Sequence, residues 1–290
     1  MVESEASLLV AVMDMGLSRA PTLRSDPTLA ASVLEAVIAF SNAHLMMKPS
    51  NRLAVLSCDT ANSDWLYPKT ESTFGASDDA RQQDGQHEVF SEVERTVRRR
   101  IAELLTQRGG GAAGKGESLL AGALSRALCY IHRLNREQSG HKEKMNSRVL
   151  LVTASGDSAS QYMNFMNVFF TAQKLGVLLD VCSLGPDSGL LQQGCDITGG
   201  QYLHVPQPQG LLQYLLWVFL PEPPLRKKLA LPPPVRVDYR AACFCHRELV
   251  DIGFHCVQEC RCTSNEEQEK EAKNISVTIF AIWKWTILTM

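Results

Sequence analysis

The sequence has almost no excess of charge of either sign. Its 29 Lys and Arg face 31 Asp and Glu, a formal net charge of -2 at pH 7. That balance offers no global attraction to nucleic acid or to an anionic membrane. Also missing is an uncharged apolar run of about 18 residues, the length a membrane span requires. The stretch from Ile275 to Met290 is apolar, but it is short and Lys284 interrupts it. The start, MVESEAS, is acidic and lacks the basic-then-apolar order of a secretion signal. Catalytic signatures are equally scarce. There is no Gly-x-Ser-x-Gly elbow, and no acid/base pair can be placed. Gly109 to Gly116 reads GGGAAGKG, superficially a phosphate loop. It follows a helical pattern rather than a strand, and Gly116 stands where a magnesium-binding hydroxyl belongs. A flexible connector accounts for it.

What is present is ordinary globular composition, 45% hydrophobic and 21% charged over 290 residues. Leu8 to Met13 is a continuous apolar run ending in Asp14, the pattern of a strand buried on both faces. Buried strands are expected again at Arg52–Cys58, Arg148–Thr153 and Val177–Leu184. Short strands are expected at Trp65–Tyr67 and Gln201–Val205. Between them run helical patterns opened by Asp26-Pro27, from Val89 to Gln107, from Ser118 to Leu134 and from Ser158 to Leu175. A short helix in DSGLLQQGCDITGG and a closing one from Gln209 to Leu220 complete the series. The alternation predicts a doubly wound α/β domain, mainly parallel, over residues 1–220. Residues 70–86, rich in Ser, Asp, Gln and Gly, read as a mobile loop. The prolines from Pro221 to Pro234 predict a stiff extended linker over 221–238. Arg95, Arg98, Arg99 and Arg100 make one helix basic, which most simply is a solvated face and alternatively a patch for an acidic partner.

Nine cysteines are present. Cys58, Cys129, Cys182 and Cys195 are scattered in apolar contexts and read as buried thiols. The other five crowd between Cys243 and Cys262, within a cysteine-rich module spanning residues 239–262. Without a secretion signal, that crowding points to metal rather than to disulfides. Residues 263–290 read as a divergent, disordered tail.

An Asp at the carboxyl end of a central strand, with a hydroxyl four residues on, is a place for a hard cation. The arrangement resembles the metal site of von Willebrand factor A domains. There a strand ends in Asp-x-Ser-x-Ser, a Thr opens a later helix and an Asp follows a later strand. Here the first element is Asp14-Met15-Gly16-Leu17-Ser18, and Ser118 takes the Thr position. The later Asp is replaced by Ala154, with Asp157 three residues further on. Magnesium favours near-ideal octahedral oxygen ligation, so the degenerate site of Asp14, Ser18 and Ser118 is expected to be empty.

Longer stretches are more specific. LLAGALSRALCYIHRLN, SASQYMNFMNVFF, the run from Asp187 to Pro221 and LPPPVRVDYRAACFCHRELVDIGFHC resemble the family of subunit 3 of general transcription factor IIH, over about Leu8 to Cys256. The resemblance implies a von Willebrand factor A-like domain serving as a non-catalytic scaffold subunit of the TFIIH core. The implied roles are transcription initiation by RNA polymerase II and nucleotide excision DNA repair, in the nucleus. It implies contacts with the other core subunits, chiefly the RING-bearing A-domain subunit. Neither sequence-specific nucleic-acid binding nor membrane attachment is expected. The alternative is a cation-dependent ligand-binding A domain.

Cys243-x-Cys245, followed by Cys256, resembles the start of that family's zinc module. Four thiolates are available from Cys243, Cys245, Cys256 and Cys260, with Cys262, His246 or His255 as substitutes. The family's later cysteines are missing after Cys262, so an incomplete zinc-type module is expected. Zinc is the one cofactor this reading includes, and magnesium is not expected.

Overall fold

Eight consecutive residues of β1, Ser7–Asp14, are buried. A strand without polar alternation must be covered on both faces, and its neighbours supply that cover. A computed structural model describes residues 6–16, 27–68, 86–107, 117–137, 145–157, 159–205 and 207–232, positions 237 and 239, and four two-residue strands beyond. The chain divides into two compact units. One holds Met1–Asp157 and Met163–Val237, the other Ser158–Tyr162 and Asp238–Met290.

In the first unit β1 lies between β2 (Arg52–Cys58) and β4 (Asn146–Thr153), parallel to both. Next come β5 (Leu178–Ser183) and β6 (Tyr202–His204), also parallel. At the opposite edge β3 (Ser63–Tyr67) runs antiparallel to β2. The six-stranded order is β3-β2-β1-β4-β5-β6. Parallel neighbours need crossovers, which the helices provide. The mainly parallel α/β sheet read from the sequence is therefore present.

Helix α1 (Pro27–Met47) buries Val33, Val37 and Phe40 in a core shared with Leu9, Ala11 and Met13 of β1. By length and composition alone its Thr28–Met47 stretch could cross a membrane, although Glu35 interrupts the apolar run. Its buried face is occupied by the sheet. Helix α2 (Gln86–Gln107) adds Val93, Val97 and Ile101 to the same core. Three of its arginines meet glutamates: Arg98 with Glu94 at 2.9 Å, Arg99 with Glu103 at 3.6 Å and Arg100 with Glu103 at 3.2 Å. That basic face largely neutralises itself.

Helix α3 (Leu120–Glu137) packs on β1, β2 and β4, burying Leu120, Leu124, Leu128 and Ile131. Cys129 is exposed, which corrects the expectation of a buried thiol, whereas Cys58, Cys182 and Cys195 are buried. Cys129 falls on the outer side of a helix whose inward stripe is already filled by Leu124, Leu128 and Ile131. Helix α4 (Tyr162–Leu175) buries Phe165, Met166 and Phe169, but Met163 is half exposed. Helix α5 (Gly189–Thr198) crosses from β5 to β6. Helix α6 (Leu211–Tyr214) continues as a π turn over Leu215–Phe219. It buries Leu211, Leu215 and Phe219 and leaves Trp217 exposed.

The proline-rich stretch opens differently from its expected extended form, with a one-turn helix α7 (Pro223–Arg226). Proline is tolerated in a first helical turn, where its missing N–H has no partner to lose. That turn aims Arg226 at Asp180 of β5, which it meets at 2.7 and 2.6 Å. Arg226 also donates to the carbonyl oxygens of Phe219 and Pro221, at 3.1 and 2.9 Å. Arg148 donates to the same two carbonyls, at 2.9 and 3.2 Å. The segment after α6 is thus fastened to β4 and β5 by buried charge.

In the second unit Ala241–Ala242 pairs antiparallel with Leu249–Val250, and Phe254–His255 with Cys262–Thr263. The register sets His255 opposite Cys262.

Candidate functional site at the end of the first strand

β1 ends at Asp14, with no exposed surface, level with Cys58 of β2. A buried carboxylate needs donors, and four surround it. The Gly16 backbone N–H and the Ser118 hydroxyl donate to Oδ1, each at 2.9 Å. The Thr153 hydroxyl donates to Oδ2 at 2.8 Å and the Ser155 hydroxyl to the same oxygen at 2.5 Å. Ser155 also approaches Ser118, Oγ to Oγ, at 3.3 Å, and its backbone N–H donates to Thr153 Oγ1 at 3.0 Å. Three chain segments, 14–16, 118 and 153–155, are thereby tied at one carboxylate.

Of the predicted cation ligands, Asp14 and Ser118 come together. Ser18 lies outside the described residues. Asp157, a possible substitute, serves elsewhere. Its carboxylate accepts from the Ser188 hydroxyl and from the Gly189 and Leu190 backbone N–H groups, the latter two at 3.0 and 3.4 Å. It caps α5, where a negative charge meets unpaired amides and the positive end of the helix dipole.

Thr153 and Ser155 were not singled out by sequence reasoning. The usable signal was Thr-Ala-Ser directly after a buried strand. These two hydroxyls flank Ala154, which stands where the A-domain pattern has its Asp.

Gly16 shows how tightly the cluster has closed. A Cβ there would lie 2.9 Å from Asp14 Oδ1 and 2.9 Å from Ser118 Oγ. A serine, the residue the A-domain pattern places here, fits only if the hydroxyls retreat from the aspartate. The donor set therefore does not fit a magnesium ion: a single carboxylate, already accepting four hydrogen bonds, is a poor start for six oxygen ligands. Among the described residues no group of three or more His, Cys, Asp or Glu is placed to hold a metal.

The buried thiols near the sheet are held in their protonated form. Burial, and next the Asp14 charge, push the Cys58 thiol up to about 12. Burial likewise raises Cys182 to about 12 and lifts Cys195 well above its ordinary value. Such thiols stay protonated and unreactive at neutral pH. The zinc candidates Cys243, Cys245, Cys256 and Cys260 lie outside the described residues, as do 69–85 and the glycine-rich run 109–116.

Strand order, antiparallel edge strand and the aspartate closing β1 define a von Willebrand factor A-like α/β domain. The model of the family Transcription factor Tfb4 matches residues 6–268, and the chain belongs to that family. Among curated relatives, the general transcription and DNA repair factor IIH subunit tfb4 of Schizosaccharomyces pombe is 36% identical over 251 residues, covering 86% of this chain and 82% of that protein. The general transcription factor IIH subunit 3 of Dictyostelium discoideum is 36% identical over 233 residues, covering 77% of this chain and 61% of its own length. The crystal structure of the TFIIH p34 N-terminal domain is 25% identical with a TM-score of 0.60, covering 73% of this chain and 97% of that one. The relationship read from the sequence to TFIIH subunit 3 is thus shown.

Proposed function

We propose that this chain is a non-catalytic scaffold subunit of the TFIIH core, acting in the nucleus in RNA polymerase II transcription initiation and nucleotide excision repair. Its α/β domain makes protein contacts, chiefly with the RING-bearing subunit, without a bound magnesium ion. Family membership supports the assembly. The observation that carries the scaffold reading is the Asp14 carboxylate, both oxygens of which accept from hydroxyls and a backbone amide. A carboxylate so engaged acts as an internal tie, not as a ligand or a general base. The cation-dependent alternative finds no support in this geometry.

The proposal includes one zinc ion on Cys243, Cys245, Cys256 and Cys260. Supporting it are four soft thiolate donors within a short span, a set suited to tetrahedral zinc.

The test is co-expression of the full chain with the RING-bearing subunit, followed by capture of one through the other. A stable stoichiometric complex without added magnesium is expected. Independence of the two proteins, or assembly only when magnesium is supplied, overturns the reading.

A further inference from the structure

Where α3 passes the edge strand β3, four side chains form a continuous row. The Arg126 guanidinium lies 6.0 Å from the centre of the Trp65 ring. Trp65 meets Tyr130 with ring centroids 4.8 Å apart. Arg133 lies 5.6 Å from the centre of the Tyr130 ring. Arg126 is fixed further by donating to the Ser63 hydroxyl at 2.8 Å.

The charge on this face differs from that on α2. Arg98, Arg99 and Arg100 each have a glutamate within reach. Arg126 has no carboxylate partner among the described residues. Arg133 lies 3.9 Å from Glu137, with both side chains about half exposed. Arg136 is exposed on the same helix. Guanidiniums held by arenes and a hydroxyl lose little freedom on meeting a carboxylate.

We propose that the Arg126–Trp65–Tyr130–Arg133 row docks an acidic polypeptide segment of a partner protein. Seven helical residues separate the two arginines, about 10 Å along the axis. An extended chain advances about 10 Å in three residues, so carboxylates at every third position match both guanidiniums. Nucleic acid suits the row less well. Each ring already has an arginine and the other ring as neighbours, contacts with which a stacking base would compete. Trp65 and Tyr130 therefore order the charges rather than receive the partner.

The test uses the full chain and a fluorescein-labelled nonapeptide, Gly-Glu-Ser-Val-Glu-Ser-Val-Glu-Gly, followed by anisotropy. Its Gln-for-Glu counterpart and oligo(dT) are the comparison probes. The acidic peptide is expected to bind, more weakly as salt rises, and the Gln peptide is not. Arg126→Ala and Arg133→Ala should each weaken binding about tenfold. Arg126→Lys should fall between, keeping the charge but not the fork. Trp65→Leu retains both charges and should still lose affinity, because Arg126 loses its seat. Arg98→Ala with Arg99→Ala on α2 should change nothing. Melting temperatures of all variants confirm that they fold. Absence of acidic-peptide binding, equal binding of the Gln peptide, tighter binding of oligo(dT), or equal loss in the α2 variant overturns the proposal.

Discussion

Arg226 and Asp180 meet in two parallel hydrogen bonds, 2.7 and 2.6 Å long, with side chains only 6% and 2% exposed. The carboxylate also accepts from the Gln201 backbone N–H at 2.9 Å. A residue beyond the closing helix therefore supplies the direct ion-pair partner of a strand in the sheet, with Arg148 as a second buried guanidinium nearby. Removing one member leaves the other charged and buried, which costs about 3–5 kcal/mol. Arg226→Ala should lower the denaturation midpoint accordingly. Asp180→Leu combined with Arg226→Met should recover much of the loss. A single Arg226→Ala variant as stable as the parent would remove the basis for this role.

The same pair sets where the chain can be shortened. A chain ending at Leu220 keeps every strand of the six-stranded sheet but leaves Asp180 without Arg226, and it loses the Pro221 carbonyl that Arg148 and Arg226 share. One ending at Val237 keeps the whole first unit. The longer fragment should unfold cooperatively, and the shorter one should melt lower or aggregate. Circular dichroism melts of the two separate the cases, and identical melts would refute the latch.

Much of the sheet was legible because buried parallel strands announce themselves as apolar runs. Leu8 to Met13 needed no partner information to be read. Asp180 was not legible in this way. It lies inside an apolar strand, and the arginine that neutralises it is 46 residues away, among prolines that point to an extended linker. The Asp14 cluster was half legible. Asp14 and Ser118 stood out by comparison with a metal site, whereas Ser155 becomes relevant only once β4 is set beside β1. Cys129 was misread because an apolar context along the chain does not say which side of α3 a residue occupies.

Asp14 should matter for stability and not for cation binding. Asp14→Ala leaves three hydroxyls and an amide without their shared acceptor, a loss of roughly 2–4 kcal/mol. Gly16→Ser restores the A-domain pattern, yet it forces the cluster apart and should cost about 1–3 kcal/mol. Calorimetry should detect no magnesium binding to the parent or to Gly16→Ser. Heat of magnesium binding that disappears in Asp14→Ala would show a working site.

Acid should weaken the fold through His44. It is buried, with Nε2 3.3 Å from the Arg52 carbonyl oxygen. Burial, then the nearby Arg148 charge, lowers its pKa from 6.5 to about 4. Below pH 6.5 the unfolded chain takes up a proton that the folded chain refuses, so stability falls as pH falls. The loss levels off near pH 4, where the folded state protonates as well. A shift of that size corresponds to roughly 3 kcal/mol across the window. Urea midpoints measured from pH 7 to pH 4 should decline, and His44→Gln should flatten the decline. An unchanged slope in that variant would assign the acid sensitivity to other groups.

On the proposed function, this A-like domain joins its complex as a cation-independent scaffold. This is tested most directly by measuring the affinity of the purified full chain for the RING-bearing subunit, with magnesium present and with this chain freed of divalent ions before mixing. Because a RING fold holds zinc of its own, only this chain meets the chelator, and zinc is added to it before mixing. The same dissociation constant is expected in both conditions. Binding that appears only with magnesium would contradict it.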